Sequence, residues 1–442
     1  MTFLSENDAI HSNNLIPDKE FRQFLNLLFP IFCYSRMPEN RNSPDRILEV
    51  QELLGQFILH IENSYKKGKD SGRMNTVGHK RLLRIARTIC DGVVWRNMGY
   101  KRAWLGVLSH NKRNMLNEDY PKLLVVAKTD FQGKICFIGD LTETLRIGDL
   151  IVVDGNKTPL LIEAKNGLGE TLKLHSIENH DERKLPSRQM HKILDTQKIL
   201  SSGRVERQCS DIVDSDFLNN HHFEAVLRGI QKAHSIGVEV VRFDKNTSVM
   251  ILDAMSPAFK YKRDFTASVN RARRIIKGNK DDIILRTRSF DSFGFVGNHF
   301  LHSIAPYSIF PFPDDVCMGL MTGDLQIYSY YNISGIMREF EKNGWQVERI
   351  EGNPNDEVPA SVKDQSGLFG EPTIDGTLLK ISRNGYFQKI PIAIFYELGF
   401  EFLSYKSIIG WCEQTYQEAL KSSYRGGRGM ITNFTCDKDL FL

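Results

Sequence analysis

Apolar residues recur along the chain in two rhythms, a helical spacing at the start and a strand-like one from about residue 120. Within the first 78 residues, Pro17-Asp18-Lys19-Glu20 opens a segment with Phe21, Leu25 and Leu28 on one face, closing near Pro30. Ser43-Pro44-Asp45 caps a second helix whose wide apolar face holds Ile47, Val50, Leu53, Leu54, Phe57 and Ile58. The stretch Lys66 to Arg73, polar and broken by two glycines, reads as a loop or linker. A third helix is expected over Lys80 to Asn97, with Leu82, Ile85, Ala86, Ile89, Val93 and Val94 inward. Pro121 to Ala127 and Lys134 to Ile138 flank a turn at Asp130 to Gly133 and read as a strand pair. Asp149 to Val153 and Pro159 to Ile162 then flank the turn cluster Asp154-Gly155-Asn156-Lys157, a hairpin signal.

Beyond the hairpin, Pro186-Ser187-Arg188-Gln189 opens a helix carrying Met190, Ile193, Leu194, Gln197 and Leu200. Another helix (Phe223, Val226, Leu227, Ile230) leads to strands over Val238 to Phe243 and Ser248 to Leu252. Helix, three strands, helix and strand would together make an αβββαβ core. From about residue 283 the pattern is α+β: a helix over Ile333 to Asn343, a long loop from Asn353 to Gly376, and an apolar core segment from Ile390 to Gly410. The aromatics Phe290, Phe293, Phe295 and Phe300 lead into a proline-stiffened connection ending at Pro313, and read as core packing. The glycine-rich Arg425 to Gly429 reads as a flexible loop.

The hairpin carries the candidate chemistry. With Gly155, Asn156 and Lys157 as a three-residue loop, residue 150 faces residue 162 and Asp149 faces Glu163. A two-residue loop would shift that register by one. Strand alternation puts Glu163 and Lys165 on one face, so two carboxylates and an ammonium share one sheet edge. Crowded carboxylates repel, and a hard divalent cation relieves them through oxygen ligation. Such a cation can polarise a phosphodiester while a lysine orients the attacking water. A second Gly-Asp-Leu at Gly139 to Leu141 makes Asp140 a competitor for the metal role, although the pairing arithmetic favours Asp149 and reads Asp140 as a turn residue.

On Asp149, Glu163, Ala164 and Lys165, with thirteen residues between the first two, the stretch resembles the PD-(D/E)XK nuclease superfamily. Its signature is an acidic residue on one strand followed by Glu-x-Lys or Asp-x-Lys on the next. Gly148 stands where the superfamily often has proline. The resemblance covers roughly residues 80 to 255 and implies a restriction-endonuclease-like core that cuts DNA with Mg²⁺ or Mn²⁺. It further implies that Asp91, on the preceding helix, lends a carboxylate to the metal. It also implies that Gln189, at the start of the helix after Glu-x-Lys, lies beside the metal and the scissile strand. Arg188, next to it, could meet a phosphate.

Composition changes this picture only locally. The net charge of +4 neither demands nor excludes a nucleic-acid partner, but Lys260, Lys262, Arg263, Arg271, Arg273, Arg274, Lys277 and Lys280 form a basic run with Asp264 as its one acid before Asp281. Such a run is either a solvated helix face or a surface that neutralises phosphates without reading sequence. The seven cysteines show no metal-ligand or disulfide spacing, and His175, His180, His191 and Asp181 match no compact ligand set. The first residues carry neither a basic nor an apolar leader pattern, which points to a cytoplasmic setting.

The expectation is therefore a mixed α/β protein of 442 residues in three parts: a helical region 1–78, a nuclease-like domain 79–255 and an α+β region 256–442 for recognition, protein docking or self-association. Its function would be metal-dependent phosphodiester hydrolysis, in restriction or phage defence by analogy with the superfamily. The alternatives are a nucleic-acid-binding protein that keeps the fold without cutting, and a scaffold in which the acidic hairpin is incidental.

Overall fold

The computed structural model describes residues 19–70, 76–98, 120–143, 147–154, 158–166, 172–175, 188–202, 204–205, 210–215, 222–259, 262–276, 284–288, 312–322, 324–350, 377–391, 402–421 and 430–434, with 116, 145, 395, 398 and 399. It is a mixture of helices and small, mainly antiparallel sheets. Two compact units divide the chain, one built mainly from Pro17–Asp216 and the other from Phe217–Tyr307 and Asp315–Gly426. The boundaries thus fall elsewhere than 78 and 255.

In the first unit, α1 (Lys19–Arg36), α2 (Pro44–Asp70) and α3 (Thr76–Met98) pack together, burying Leu28, Phe32, Ile58, Ile61, Val94 and Trp95. Helix α1 runs through Pro30 rather than ending there. Phe32 lies four residues beyond Leu28, on the same buried face, so packing offsets the one backbone hydrogen bond that proline removes. Helix α2 likewise continues across Lys66-Lys67-Gly68 to Asp70.

The run Pro121 to Ala127, expected as a strand, is helix α4 (Tyr120–Thr129). Its buried residues Tyr120, Leu123, Leu124 and Ala127 follow helical spacing, while Val125 is 58% exposed. Pro121 occupies the first turn, where its missing N–H is no loss. The valines were the misleading signal, because burial of a helical face overrides local β propensity.

Four antiparallel strands follow in spatial order: β1 (Ile135–Ile138), β2 (Leu150–Val153), β3 (Leu160–Asn166) and β4 (Leu172–His175). Beneath them lie α2 and, after β4, α5 (Arg188–Ser202), each filling an open strand edge with one buried glutamine. Gln51 of α2 donates to Cys136 O (2.8 Å) and accepts from Ile138 N (2.7 Å) on β1. Gln197 of α5 donates to Pro159 O (2.7 Å) and accepts from Leu161 N (2.8 Å) beside β3. A primary amide offers one donor and one acceptor at peptide spacing, so each glutamine acts as a short extra strand. Two short strands, β5 (Arg204–Val205) and β6 (Ser210–Ser215), pair antiparallel.

In the second unit, α6 (Phe223–Ile236), β7 (Val238–Arg242), β8 (Thr247–Asp253), α7 (Lys262–Ile276), β9 (Ile284–Arg288), α8 (Asp314–Thr322) and β10 (Leu325–Asn332) follow in sequence. Their strands form one antiparallel sheet, ordered β7-β8-β10-β9. Residues 238–253, expected beside the hairpin, therefore belong to a different sheet and pair with β10. Met250 and Leu252 pack with Ala272 and Ile276 of α7, while Ile251 and Val241 approach Gly229 of α6. Covered on both faces, β8 reads as a continuous apolar run. Next come α9 (Ile333–Lys342), a three-stranded antiparallel sheet of β11 (Gln346–Arg349), β12 (Thr377–Arg383) and β13 (Tyr386–Pro391), and α10 (Tyr405–Lys421). The expected apolar segment is core, with Phe395, Leu398, Phe402 and Leu403 buried. The last strand, β14 (Met430–Phe434), counts with the first unit and pairs parallel with β6. Among the described residues no helix is long and apolar enough to cross a membrane.

His180, Asp181, the Phe290 to Phe300 aromatics, the loop Asn353 to Gly376 and Arg425 to Gly429 lie outside the described residues.

Candidate functional site

The hairpin has the register that its loop length implied. Leu150 pairs with Ile162, Ile151 with Leu161 and Val152 with Leu160. The paired register ends there, and Asp149 turns in against Ile162 and Ala164, the residues that flank Glu163. Asp149 N donates to Ile162 O (2.8 Å), and the Asp149 carboxylate Oδ2 accepts from Ala164 N (2.7 Å), so the side chain extends the ladder past the end of β2. Glu163 is 4% exposed in β3, opposite His175 of β4. Lys165 continues the same strand, paired in register with Lys173; its side chain lies outside the described residues.

Asp140 lies beside Asp149. Residues Gly139–Leu141 form a single 3-10 turn between β1 and β2, and Gly139 N donates to Asp149 O (2.9 Å). The two Gly-Asp pairs thus meet back to back. A methyl group on Gly139 would come within 2.5 Å of Gly148 O, and Gly148 itself has φ +81°. Burial pushes the Asp149 carboxyl up to about 6; the Ala164 N–H opposes that shift and the Asp140 charge adds to it. Asp140 is the turn residue its sequence suggests and is in addition an electrostatic neighbour of Asp149. The repeated Gly-Asp, nine residues apart, was the signal available.

Asp91 is fully buried on α3, and both carboxylate oxygens face Glu143 N (3.1 and 3.2 Å). It therefore anchors the chain running from the 3-10 turn into Asp149. Arg188 and Gln189 stand in the first turn of α5, with their side chains outside the described residues. That helix is fixed to the hairpin by buried Ile193 and by Gln197. In the second unit, Lys262, Arg263, Arg271, Arg273 and Arg274 all lie on α7; Arg271 and Arg274 are exposed, opposite the face that buries Ala272.

The donor set suits a hard cation. Asp149 and Glu163 are oxygen donors at the end of β2 and in β3, with the Asp140 charge acting on Asp149, and Mg²⁺ is commonly held by one or two carboxylates plus water and substrate phosphate. Among the described residues no group of three or more His, Cys, Asp and Glu side chains is arranged to hold a metal ion.

Gly139→Ala is expected to destabilise the protein by about 2 kcal/mol, since backbone must move to clear the methyl group. Urea denaturation measures this, and a stability equal to wild type would contradict the close approach.

No protein-family model matches the chain, and no curated protein or solved structure matches it.

Proposed function

We propose that the protein is a metal-dependent nuclease that hydrolyses phosphodiester bonds in DNA. The observation supporting this most directly is that the hairpin brings the Asp149 carboxylate, held by Ala164 N, to the strand that carries Glu163 and Lys165. Asp149 and Glu163 would hold Mg²⁺ or Mn²⁺. When bound, such an ion supplies a Lewis acid to a phosphoryl oxygen and acidifies a bound water. The chain's own residues do the rest. The Ala164 amide fixes the orientation of the Asp149 carboxylate, and Asp91 fixes the backbone behind it. Lys165 orients the attacking water and offsets negative charge building on the phosphate. Gln189 and Arg188, at a helix N-terminus, would meet the phosphate backbone. The α7 basic residues would add sequence-independent contacts to DNA.

Cleavage of supercoiled, linear and single-stranded DNA and of RNA, with Mg²⁺, Mn²⁺ or EDTA, tests the reading. Wild type is expected to cut only with metal, and Lys165→Ala to cut roughly 100-fold more slowly. Equal rates from the two proteins would sink the assignment. The non-cleaving alternative draws on the exposed basic residues Arg271 and Arg274 of α7. It predicts binding that needs no metal and weakens steeply with salt.

A further inference from the structure

The β11-β12-β13 sheet of the second unit presents an outward face that combines an exposed aromatic ring with lysines. Strands β12 and β13 are joined by Asn384-Gly385, both at positive φ (50° and 80°), the tight turn that holds a hairpin in register. That register aligns two cross-strand rows on the outward face. One is Gln346, Ser382 and Phe387; the other, two residues along, is Glu348, Lys380 and Lys389. The inward positions Leu379, Ile381 and Ile390 are buried.

Phe387 is 62% exposed, more than any other large apolar side chain among the described residues. It stands in an open concave surface of about 1120 Å³ lined by these two rows. Its surroundings are hydrogen-bonding and cationic rather than apolar. Four cations, Arg349, Lys380, Arg383 and Lys389, line the surface against the single carboxylate of Glu348. Glu348 lies 3.5 Å from Lys380, and Arg383 is held by Glu413. Lys389 has no ion-pair partner among the described residues.

The geometry points to this face as a binding site for single-stranded DNA, with an unpaired base stacked on Phe387 and adjacent phosphates on Lys389 and Lys380. A lone ring on a sheet face can stack only on a base whose own face is open, which a duplex does not offer. The two rows are separated by roughly 7 Å along the strands, so one strand of nucleic acid can engage ring and ammonium groups together. Gln346 and Ser382 supply donors and acceptors beside the ring. An apolar protein partner fits less well, because a single aromatic amid lysines leaves little apolar area to bury. This inference does not rest on hydrolysis by Asp149 and Glu163.

The test is fluorescence anisotropy of the full chain with a labelled oligothymidylate, its duplex with oligoadenylate and an oligouridylate, all in EDTA. Wild type is expected to bind the single-stranded DNA more tightly than the duplex. Phe387→Ala should weaken that binding by about 10-fold without changing duplex binding, and Phe387→Trp should restore it. Lys389→Gln should lower the salt slope by about 0.7. Binding is read in EDTA, without metal or turnover, and the nuclease reading is scored by metal-dependent cleavage, so failure of one is distinguishable from failure of the other. Phe387 is exposed, so its alanine variant should keep the wild-type melting temperature. Equal binding by Phe387→Ala and wild type, or no binding by wild type, would overturn the proposal. Tighter binding of the oligouridylate would overturn the choice of DNA.

Discussion

Asp149→Asn is expected to stabilise the metal-free protein by about 3 kcal/mol at pH 8 and by little at pH 4. The carboxyl titrates near 3.8 in an ordinary setting and at about 6 in the folded protein. Between those values the folded state binds more protons than the unfolded state, so wild-type stability falls as pH rises through that window. A shift of about two units corresponds to roughly 3 kcal/mol, fully expressed above pH 6. Asparagine does not titrate, and its Oδ1 can keep accepting the Ala164 N–H, so the variant avoids the loss. Urea denaturation of both proteins in EDTA at pH 4 and pH 8 measures the effect. A variant less stable than wild type at pH 8, or a gap independent of pH, would rule out this account. Mg²⁺ should narrow the gap by stabilising wild type, if Asp149 and Glu163 hold the ion. A gap unmoved by Mg²⁺ would count against the metal site while leaving the electrostatic argument intact.

Gln51→Leu is expected to destabilise the protein by about 4 kcal/mol, although it replaces a polar side chain with an apolar one of similar size in a buried position. Gln51 is fully buried and satisfies both Cys136 O and Ile138 N. Leucine removes both partners at once, and each backbone group left unpaired away from water costs about 1–3 kcal/mol. The measurement is denaturant unfolding together with hydrogen exchange at the Ile138 amide, whose protection should fall selectively. A loss under 1 kcal/mol would mean that water reaches that strand edge. Gln197→Leu tests the same device at β3 and should cost less, because Gln197 keeps 7% exposure and water can reach part of what it leaves.

Both effects arise at places that differ in how far the sequence reveals them. The pairing of Leu150 with Ile162 was readable because a turn cluster of defined length sits between two alternating apolar runs, and a one-residue slip would turn every buried side chain outward. Helix α3 was readable from its apolar spacing, but the burial of Asp91 on it was not. A carboxylate between apolar neighbours looks solvent-facing until the Glu143 amide is brought to it from 52 residues away. Gln51 was equally opaque: on an apolar helix face it resembles an ordinary polar interruption, and its partners come from β1, more than 80 residues later.

Local patterning suffices for the mixed helix and strand content, the central hairpin and its register, and the one-sided helices α2 and α3. Each of these depends on contacts within a few residues or on alternation within one element. Long-range packing makes Pro121 to Ala127 helical, joins residues 238–253 to β10 in a separate sheet and stands Asp140 against Asp149. Those outcomes depend on which surface covers which. The free energy of burying a face, or of pairing a strand edge with a distant partner, exceeds the local preferences that a sequence displays.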